Sequence, residues 1–175
     1  MANTYTLIQS VTVGSGGAAS IDFTSIPQTY TDLVFRLSVR STGSANTWSY
    51  CVVYLNGSTT SNTMRYLHGT GSTTSSGVES NKPYLIFSNA NTTASVFTSG
   101  ELYIPNYSGS TNKSYSFDGV TENNATASYQ QLAACLFANT AAITRITFYA
   151  GDGDLNLNQT FAQHSSVSLY GIKNS

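Results

Sequence analysis

Charge is what this sequence has least of. Lys, Arg, Asp and Glu together make up 9% of its 175 residues, where about 25% is usual for a globular domain. The formal net charge is −1 and the basic residues are scattered along the chain. No concentrated field for a nucleic acid or an acidic membrane is therefore indicated, and neither is expected as a partner.

Long apolar runs and metal-binding side chains are also scarce. No run reaches the length of a membrane span, and the opening MANTYTLIQSVTVG lacks the basic and apolar segments of a secretory signal. Cys51 and Cys135 lie in the apolar runs YCVVYL and LAACLF and are predicted to be buried free thiols, since two cysteines are too few for a disulfide framework. With only His68 and His164 to join them, a zinc site is not indicated, and no cofactor is expected.

What the chain has in quantity is alternation of apolar and polar residues. Residues 33–40, LVFRLSVR, place four apolar side chains on one face and Arg36 and Arg40 on the other. This period of two is typical of a half-buried antiparallel strand. The three prolines all lie at the ends of such segments, where a missing backbone donor costs a sheet least.

Similar short segments recur along the whole chain, separated by loops rich in Gly, Ser, Thr and Asn. About ten strands at this spacing predict a single all-β domain over residues 1–175, an antiparallel two-sheet sandwich of jelly-roll kind. LIQSVTV and SVSLYGI are expected to pair at one sheet edge, and GSGG at 14–17 is interpreted as a hairpin turn. The Ala-rich stretch 125–143 fits either a short helix or a strand, with the strand favoured.

Three of the eight acidic residues, Glu101, Asp118 and Glu122, fall on two neighbouring predicted strands. A glycosidase needs two carboxyl groups roughly 5 to 10 Å apart, one of them with a raised pKa. Glu101 alternates with Leu102 and Ile104, so it is expected to point away from the core, and no apolar pocket is apparent nearby. The three are predicted to be surface acids.

Two other groups of residues are candidates for a metal site and for a catalytic triad. Asp152, Asp154, Asn156 and Asn158 place oxygen-bearing side chains at every second position, as a calcium loop does, but the EF-hand spacing fails and LNLN also fits an alternating strand. This is a weak calcium candidate. His68 and His164, the latter beside Ser165, have no acid near them in sequence and no nucleophile-elbow motif, so a Ser/His/Asp triad is not favoured.

Aromatic residues make up 12% of the chain, with twelve Tyr, eight Phe and one Trp. The segment TWSYCVVYL places Trp48, Tyr50 and Tyr54 on one face. Core is the default for that face, and a contact with another subunit or with a glycan is the alternative, because Tyr and Trp combine an apolar body with a polar tip.

Several stretches together resemble small structural proteins of tailed bacteriophages: TYTLIQSVTVGSGGAASIDFTSIPQTYTDL, ELYIPNY, NNATASY, NTAAITRI and SLYGI. The resemblance runs from end to end and is weakest at 41–82 and 150–163. It implies localisation in the virion as a head decoration (cement) protein or a tail or fibre component. It brings no catalytic residues with it.

These observations predict a protein that binds and does not catalyse. The favoured hypothesis is a capsid decoration protein that binds the shell through the major capsid protein. It is also expected to bind sister subunits and form a homo-oligomer, for which a trimer is one candidate. The loops 41–46, 56–63 and 69–82 are expected to face outward or toward those subunits. The alternative is a tail- or fibre-associated module that recognises a glycan on the host surface, and a glycan hydrolase is the least favoured.

Overall fold

The structure is a computed structural model that describes residues 5–122 and 128–173, and it is all-β. Its strands alternate with short loops, and none of the described residues forms a helix. The strands are β1 (Tyr5–Thr12), β2 (Ser20–Phe23), β3 (Asp32–Val39), β4 (Ser49–Leu55), β5 (Asn62–Gly69), β6 (Thr74–Ser80), β7 (Tyr84–Phe87), β8 (Thr98–Ile104), β9 (Lys113–Glu122), β10 (Ser128–Phe137), β11 (Ile146–Gly151) and β12 (Ser166–Ile172). Across the described part of the chain, accordingly, no helix is long and apolar enough to cross a membrane.

Two antiparallel sheets face each other. The large sheet has the order β1-β12-β3-β8-β9-β10-β5-β6, and the small sheet has the order β2-β11-β4-β7. Strand β1 pairs with β12, β2 with β11, β3 with β8, and β4 with β7. The chain is therefore one long hairpin rolled up across two layers, which is the jelly roll that the sequence predicts.

Two further hairpin elements extend the large sheet beyond this eight-strand roll. Strands β9 and β10 continue it from β8, and β5 and β6 continue it from β10. The small sheet has no matching extension, and β6 is the strand of the large sheet farthest from the roll. We call these four strands the sheet extension.

The core lies between the sheets and is built by alternation. In β3 the side chains of Leu33, Phe35, Leu37 and Val39 are all buried. Phe35 meets Phe23 and Phe148 of the small sheet edge to face, with ring centroids 5.2 and 5.4 Å apart. Such aromatic pairs add to the free energy gained from apolar burial.

The sheets approach most closely where two glycines face each other. Gly100 of β8 is paired with Gly119 of β9, and the side chain of Leu85 from β7 lies over both. A Cβ at Gly100 would lie 2.4 Å from Leu85 Cδ2. Glycine is required at these two positions to admit the leucine.

Several sequence predictions about local structure are confirmed. The edge pairing of the first and last strands is observed as β1 with β12, and the strand interpretation holds for the described part of 125–143, which includes β10. Cys51 and Cys135 are free and buried.

Other local predictions are wrong. The segment 14–17 makes a turn, with Gly17 N–H donating to Gly14 O, but it joins strands of different sheets and closes no hairpin. Residues 69–82, predicted as a loop, contain β6, and β5 begins at Asn62 within the predicted loop 56–63. Residues 155–158 (LNLN) form a loop and not the predicted strand. Leu155 has a φ of 59°, which lies outside the extended region of a strand.

Arg40 was expected on the exposed face and is buried, with 9% of its surface accessible. Its guanidinium donates to Thr92 Oγ1 and to the carbonyls of Thr92, Thr93 and Val96. The buried cation is tolerated because these hydrogen bonds satisfy its guanidinium. The same bonds fix the backbone of the loop before β8.

Candidate functional site

The three acidic residues do come together in part, on the outer face of the large sheet. Glu101 of β8 lies directly opposite Asp118 of β9 in the antiparallel register. Glu101 forms an ion pair with Arg36, Nη1 to Oε2 2.6 Å, while Asp118 Oδ1 accepts from the backbone N–H of Ala133 at 2.8 Å. Glu122 lies further along β9 and accepts from the N–H and the hydroxyl of Thr93. Each carboxylate thus has a structural partner of its own.

Asp152 is the centre of the candidate calcium loop. Its Oδ1 accepts from the backbone N–H of Asp154 and of Asn156, and its Oδ2 accepts from the side-chain amides of Asn156 and Asn158. Slight burial acts to raise the pKa of Asp152, but these hydrogen bonds outweigh it and the pKa lies below its ordinary value. The two amides donate their N–H groups to the carboxylate, so these hydrogen bonds hold the loop together. No group of three or more His, Cys, Asp or Glu side chains suited to a metal occurs in residues 5–122 and 128–173.

His68 and Ser165 bond to different groups, and both cysteines are buried. His68 Nε2 lies 2.9 Å from Ser75 Oγ across the β5–β6 hairpin, and His68 Nδ1 is buried without a hydrogen-bond partner among the described residues. Ser165 is fully buried and exchanges hydrogen bonds with the backbone of Arg40. Burial raises the pKa of Cys51 well above its ordinary value and that of Cys135 to about 12. Neither thiol is primed as a nucleophile.

The aromatic face of β4 divides into a buried part and a half-exposed part. Tyr54 is 6% exposed and packs against Tyr149. Trp48 and Tyr50 are half-buried; Trp48 meets Tyr129 edge to face at 5.8 Å, and Tyr50 lies against Tyr84 at 4.2 Å. Burial raises the pKa of Tyr50, and the nearby indole N–H of Trp48 lowers it by a smaller amount. No hydrogen bond of ordinary geometry reaches this indole nitrogen from the described residues.

The most exposed apolar surface lies on the outer face of the sheet extension. Leu132 of β10 is directly opposite Leu67 of β5, and both are about half exposed, at 49% and 60%. Val78 of β6 and Leu136 of β10 flank them, at 58% and 40%. We call these four residues the apolar face.

Three of the four residues of the apolar face line a groove. This groove, of about 770 Å³, runs over Leu67, Leu132 and Val78, between Pro105 at the end of β8 and the sheet edge. Depressions of about 480 and 270 Å³ adjoin it, and Leu132 lines all three. Arg65 and Asp118 also line the main groove, so it contains one charge of each sign, and Arg65 lies between Ala134 and Val78 in the strand register.

Sequence reasoning did not single out Leu67 or Leu132, although a signal was present. In β10 the buried residues Ala133, Cys135 and Phe137 alternate with Leu132, Ala134 and Leu136. A strand that is apolar on both faces must bury both or present one of them to another surface.

Comparison of this chain with models of known protein families, with curated proteins and with solved structures finds no match.

Proposed function

We propose that this chain is a structural protein of a bacteriophage virion, a capsid decoration (cement) protein that binds the shell and sister subunits. The jelly roll supports this proposal because it is an architecture of viral capsid domains. The end-to-end resemblance of the sequence to small phage structural proteins supports it further. Glu101, Asp118 and Glu122 are engaged in structural contacts and both cysteines are buried, which favours adhesion over catalysis.

The observation that carries the proposal is the apolar face. Four large aliphatic side chains, all at least 40% exposed, cluster on one side of the sheet extension. A contiguous apolar surface with a polar rim is typical of a protein–protein contact. It lies on strands added to the basic roll, on the face of the large sheet turned away from the core.

The decisive experiment is to measure the copy number of the chain in purified particles of the phage that encodes it. A shell protein is expected at a number matching the capsid symmetry, whereas a few copies per particle would move the assignment from head to tail. The Leu132→Asp variant is expected to lose incorporation because it places a charge at the centre of the groove. Leu157→Asp, at a leucine that is 38% exposed in a loop away from the groove, is the matched control and should be incorporated normally.

The half-exposed aromatic residues favour a second candidate function, a tail-associated module that recognises host glycan. Trp48 and Tyr50 each leave part of the side chain exposed beside Tyr129 and Tyr84, and partly exposed aromatic side chains offer apolar area to a ligand such as a sugar. Glycan-array binding that is lost in Trp48→Ala and kept in Tyr5→Ala, at another exposed aromatic residue, would favour this function over the first. Absence of binding to any glycan would exclude it.

A further inference from the structure

Sheet edges are the places where a β protein is most exposed to pairing with another chain, because an edge strand has a row of backbone groups without a ladder partner. This sandwich has four such edges: β1 and β6 in the large sheet, and β2 and β7 in the small one. Natural proteins protect edges by shortness, charge, irregularity or a covering group. The four edges differ sharply in this respect.

Both edges of the small sheet are protected. Strand β7 has four residues, and Gln131 from β10 covers its free side: Ile86 N–H donates to Gln131 Oε1 at 2.9 Å, and Gln131 Nε2 donates to Tyr84 O at 2.8 Å. Strand β2 also has four residues and carries Asp22, which is held by both Nε and Nη2 of Arg145.

The two edges of the large sheet are less alike. Strand β6, TSSGVES, contains a glycine and the acid Glu79, and its large apolar residue is Val78. Strand β1, YTLIQSVT, is eight residues long and contains no charge, proline or glycine. Its only irregularity is a bulge at Ile8, where the register with β12 shifts.

Strand β1 also exposes large side chains. Tyr5 is 58% and Leu7 is 55% exposed on the outer face, and Tyr5 lies edge to face with the half-exposed Tyr170 of β12, 6.3 Å away. Six of the eight residues of β1 are exposed to solvent. An uncharged, apolar edge of this kind is the signature of a strand that pairs with another chain.

We propose that β1 is a self-association site, where β1 of a second copy of this chain adds antiparallel and joins the two large sheets. An antiparallel edge is complementary to its own copy about a two-fold axis, so one surface serves both partners. The absence of charge on β1 means that two copies meet without like-charge repulsion, whereas a pair of β6 edges would bring two Glu79 residues to the contact. The bulge at Ile8 interrupts the regular ladder near the middle of β1, and the contact extends along the strand on both sides of it.

The contact is weak in solution. A ladder about 27 Å long and about 10 Å deep covers on the order of 300 Å² per partner, well below the roughly 800 Å² of a stable interface. Dissociation constants in the micromolar range or weaker follow. On a particle, many such contacts act together and their avidity makes up for the small area.

The inference rests on the proposed function only for its role in the virion, because the contact can be measured on the isolated chain. Sedimentation velocity over about 1 μM to 1 mM is expected to show a reversible monomer–dimer equilibrium. Leu7→Lys, which places two like charges across the edge, is expected to weaken it at least tenfold. Leu157→Lys, at an exposed leucine in the loop between β11 and β12, is the matched control and should dimerise as the unmodified chain does.

Hydrogen exchange by mass spectrometry supplies a second readout. The amides of residues 5–12 should exchange more slowly at high protein concentration, and this dependence should vanish in Leu7→Lys. A chain that stays monomeric throughout would overturn the proposal, and so would a dimer that is lost in Leu157→Lys but kept in Leu7→Lys. Neither result bears on copy number in the particle, and absence of the chain from particles would leave the β1 dimer intact.

Discussion

Glu101 and Asp118 face each other across β8 and β9, and each carboxylate is bound by a different group: Arg36 for Glu101 and the backbone N–H of Ala133 for Asp118. Two carboxyl groups so placed on neighbouring strands resemble the acid pair of a glycosidase in spacing alone. Here the bond from Ala133 bridges β9 and β10, so Asp118 stabilises the sheet extension on which the apolar face is built.

The two acids are therefore expected to differ in their contribution to stability. Asp118→Ala leaves the Ala133 N–H without its acceptor and should lower the free energy of unfolding by about 1–2 kcal/mol. Glu101→Gln breaks an ion pair between side chains that are 36% and 61% exposed, and should change it by less than about 0.5 kcal/mol. Urea unfolding of both variants measures the difference. Equal effects would contradict the assigned roles.

Gln131 is expected to be the most sensitive polar residue of β10. Its side chain is 2% exposed and supplies both hydrogen bonds to the free side of β7. Gln131→Leu keeps the volume but leaves the Ile86 N–H and the Tyr84 carbonyl unpaired, which should cost about 2–4 kcal/mol of unfolding free energy. Gln130→Leu, at the exposed neighbour, is the control and should change stability by about 0.5 kcal/mol or less. A tolerated Gln131→Leu would show that the edge of β7 is protected in another way.

Lys113 is a buried cation that bonds to four carbonyl groups. It is 1% exposed, and its Nζ donates to the carbonyl oxygens of Gly109, Thr111, Thr140 and Ala141 at 2.5–3.4 Å. Lys113→Met removes the donor to two loops at once and should lower the unfolding free energy by about 2–4 kcal/mol. Lys82→Met breaks one bond to Leu155 O and should cost about 1 kcal/mol or less. Thermal unfolding followed by circular dichroism compares the two, and similar losses would refute the assigned role of Lys113.

Stability is expected to fall in alkaline solution because buried tyrosines resist ionisation. Burial, as the first cause, raises the pKa of six of them: Tyr50, Tyr54, Tyr84, Tyr103, Tyr107 and Tyr115. For Tyr103, burial and the hydrogen bond to Asp32 raise the pKa to about 12. Since the unfolded chain loses these protons first, the free energy of unfolding should decrease as the pH rises above about 10.

The measurement is the melting temperature as a function of pH, with phenolate formation followed by ultraviolet absorbance. Tyr103→Phe should show a shallower alkaline decline than the unmodified chain. Lys113 acts in the opposite direction, because burial lowers its pKa and the unfolded chain then binds more protons just below the ordinary lysine pKa. A melting temperature that does not change up to about pH 11 would contradict the prediction that the tyrosines with raised pKa values outweigh Lys113 in the alkaline range.

The sequence predicts most of the roll because strands such as β3, β8 and β12 alternate clearly. Residues 33–39 and 98–104 place every second side chain in the core, and that pattern is local. Strand β6 was missed because TSSGVES has neither large apolar residues at every second position nor a buried face: each of its residues is exposed or half-exposed. It is a strand because β5 offers a pairing edge, which is information that lies outside the segment itself.

The structural roles of Arg40 and Lys113 lay beyond prediction for a related reason. Their partners are mostly backbone carbonyls of loops distant in sequence, such as Val96 O for Arg40 and Ala141 O for Lys113. A carbonyl has no residue type, so no pattern marks it as a partner. The apolar face was within reach, since β10 is apolar at consecutive positions, but which of its faces stays exposed depends on which side of β10 the small sheet packs against.

Gly119 provides the sharpest test of how the two sheets fit together. A Cβ there would lie 2.8 Å from Ser99 O and 2.9 Å from both terminal carbons of Leu85, closer than real side chains approach. Gly119→Ala should therefore push β7 away from β9 and lower the unfolding free energy by about 1–3 kcal/mol. Gly69→Ala, where a Cβ meets nothing within 4 Å, should be neutral or stabilising by up to about 1 kcal/mol, because alanine restricts the unfolded chain. Denaturant titration of the pair compares two glycines of the same sheet, and a destabilised Gly69→Ala beside a tolerated Gly119→Ala would show that the sheets do not meet through Leu85.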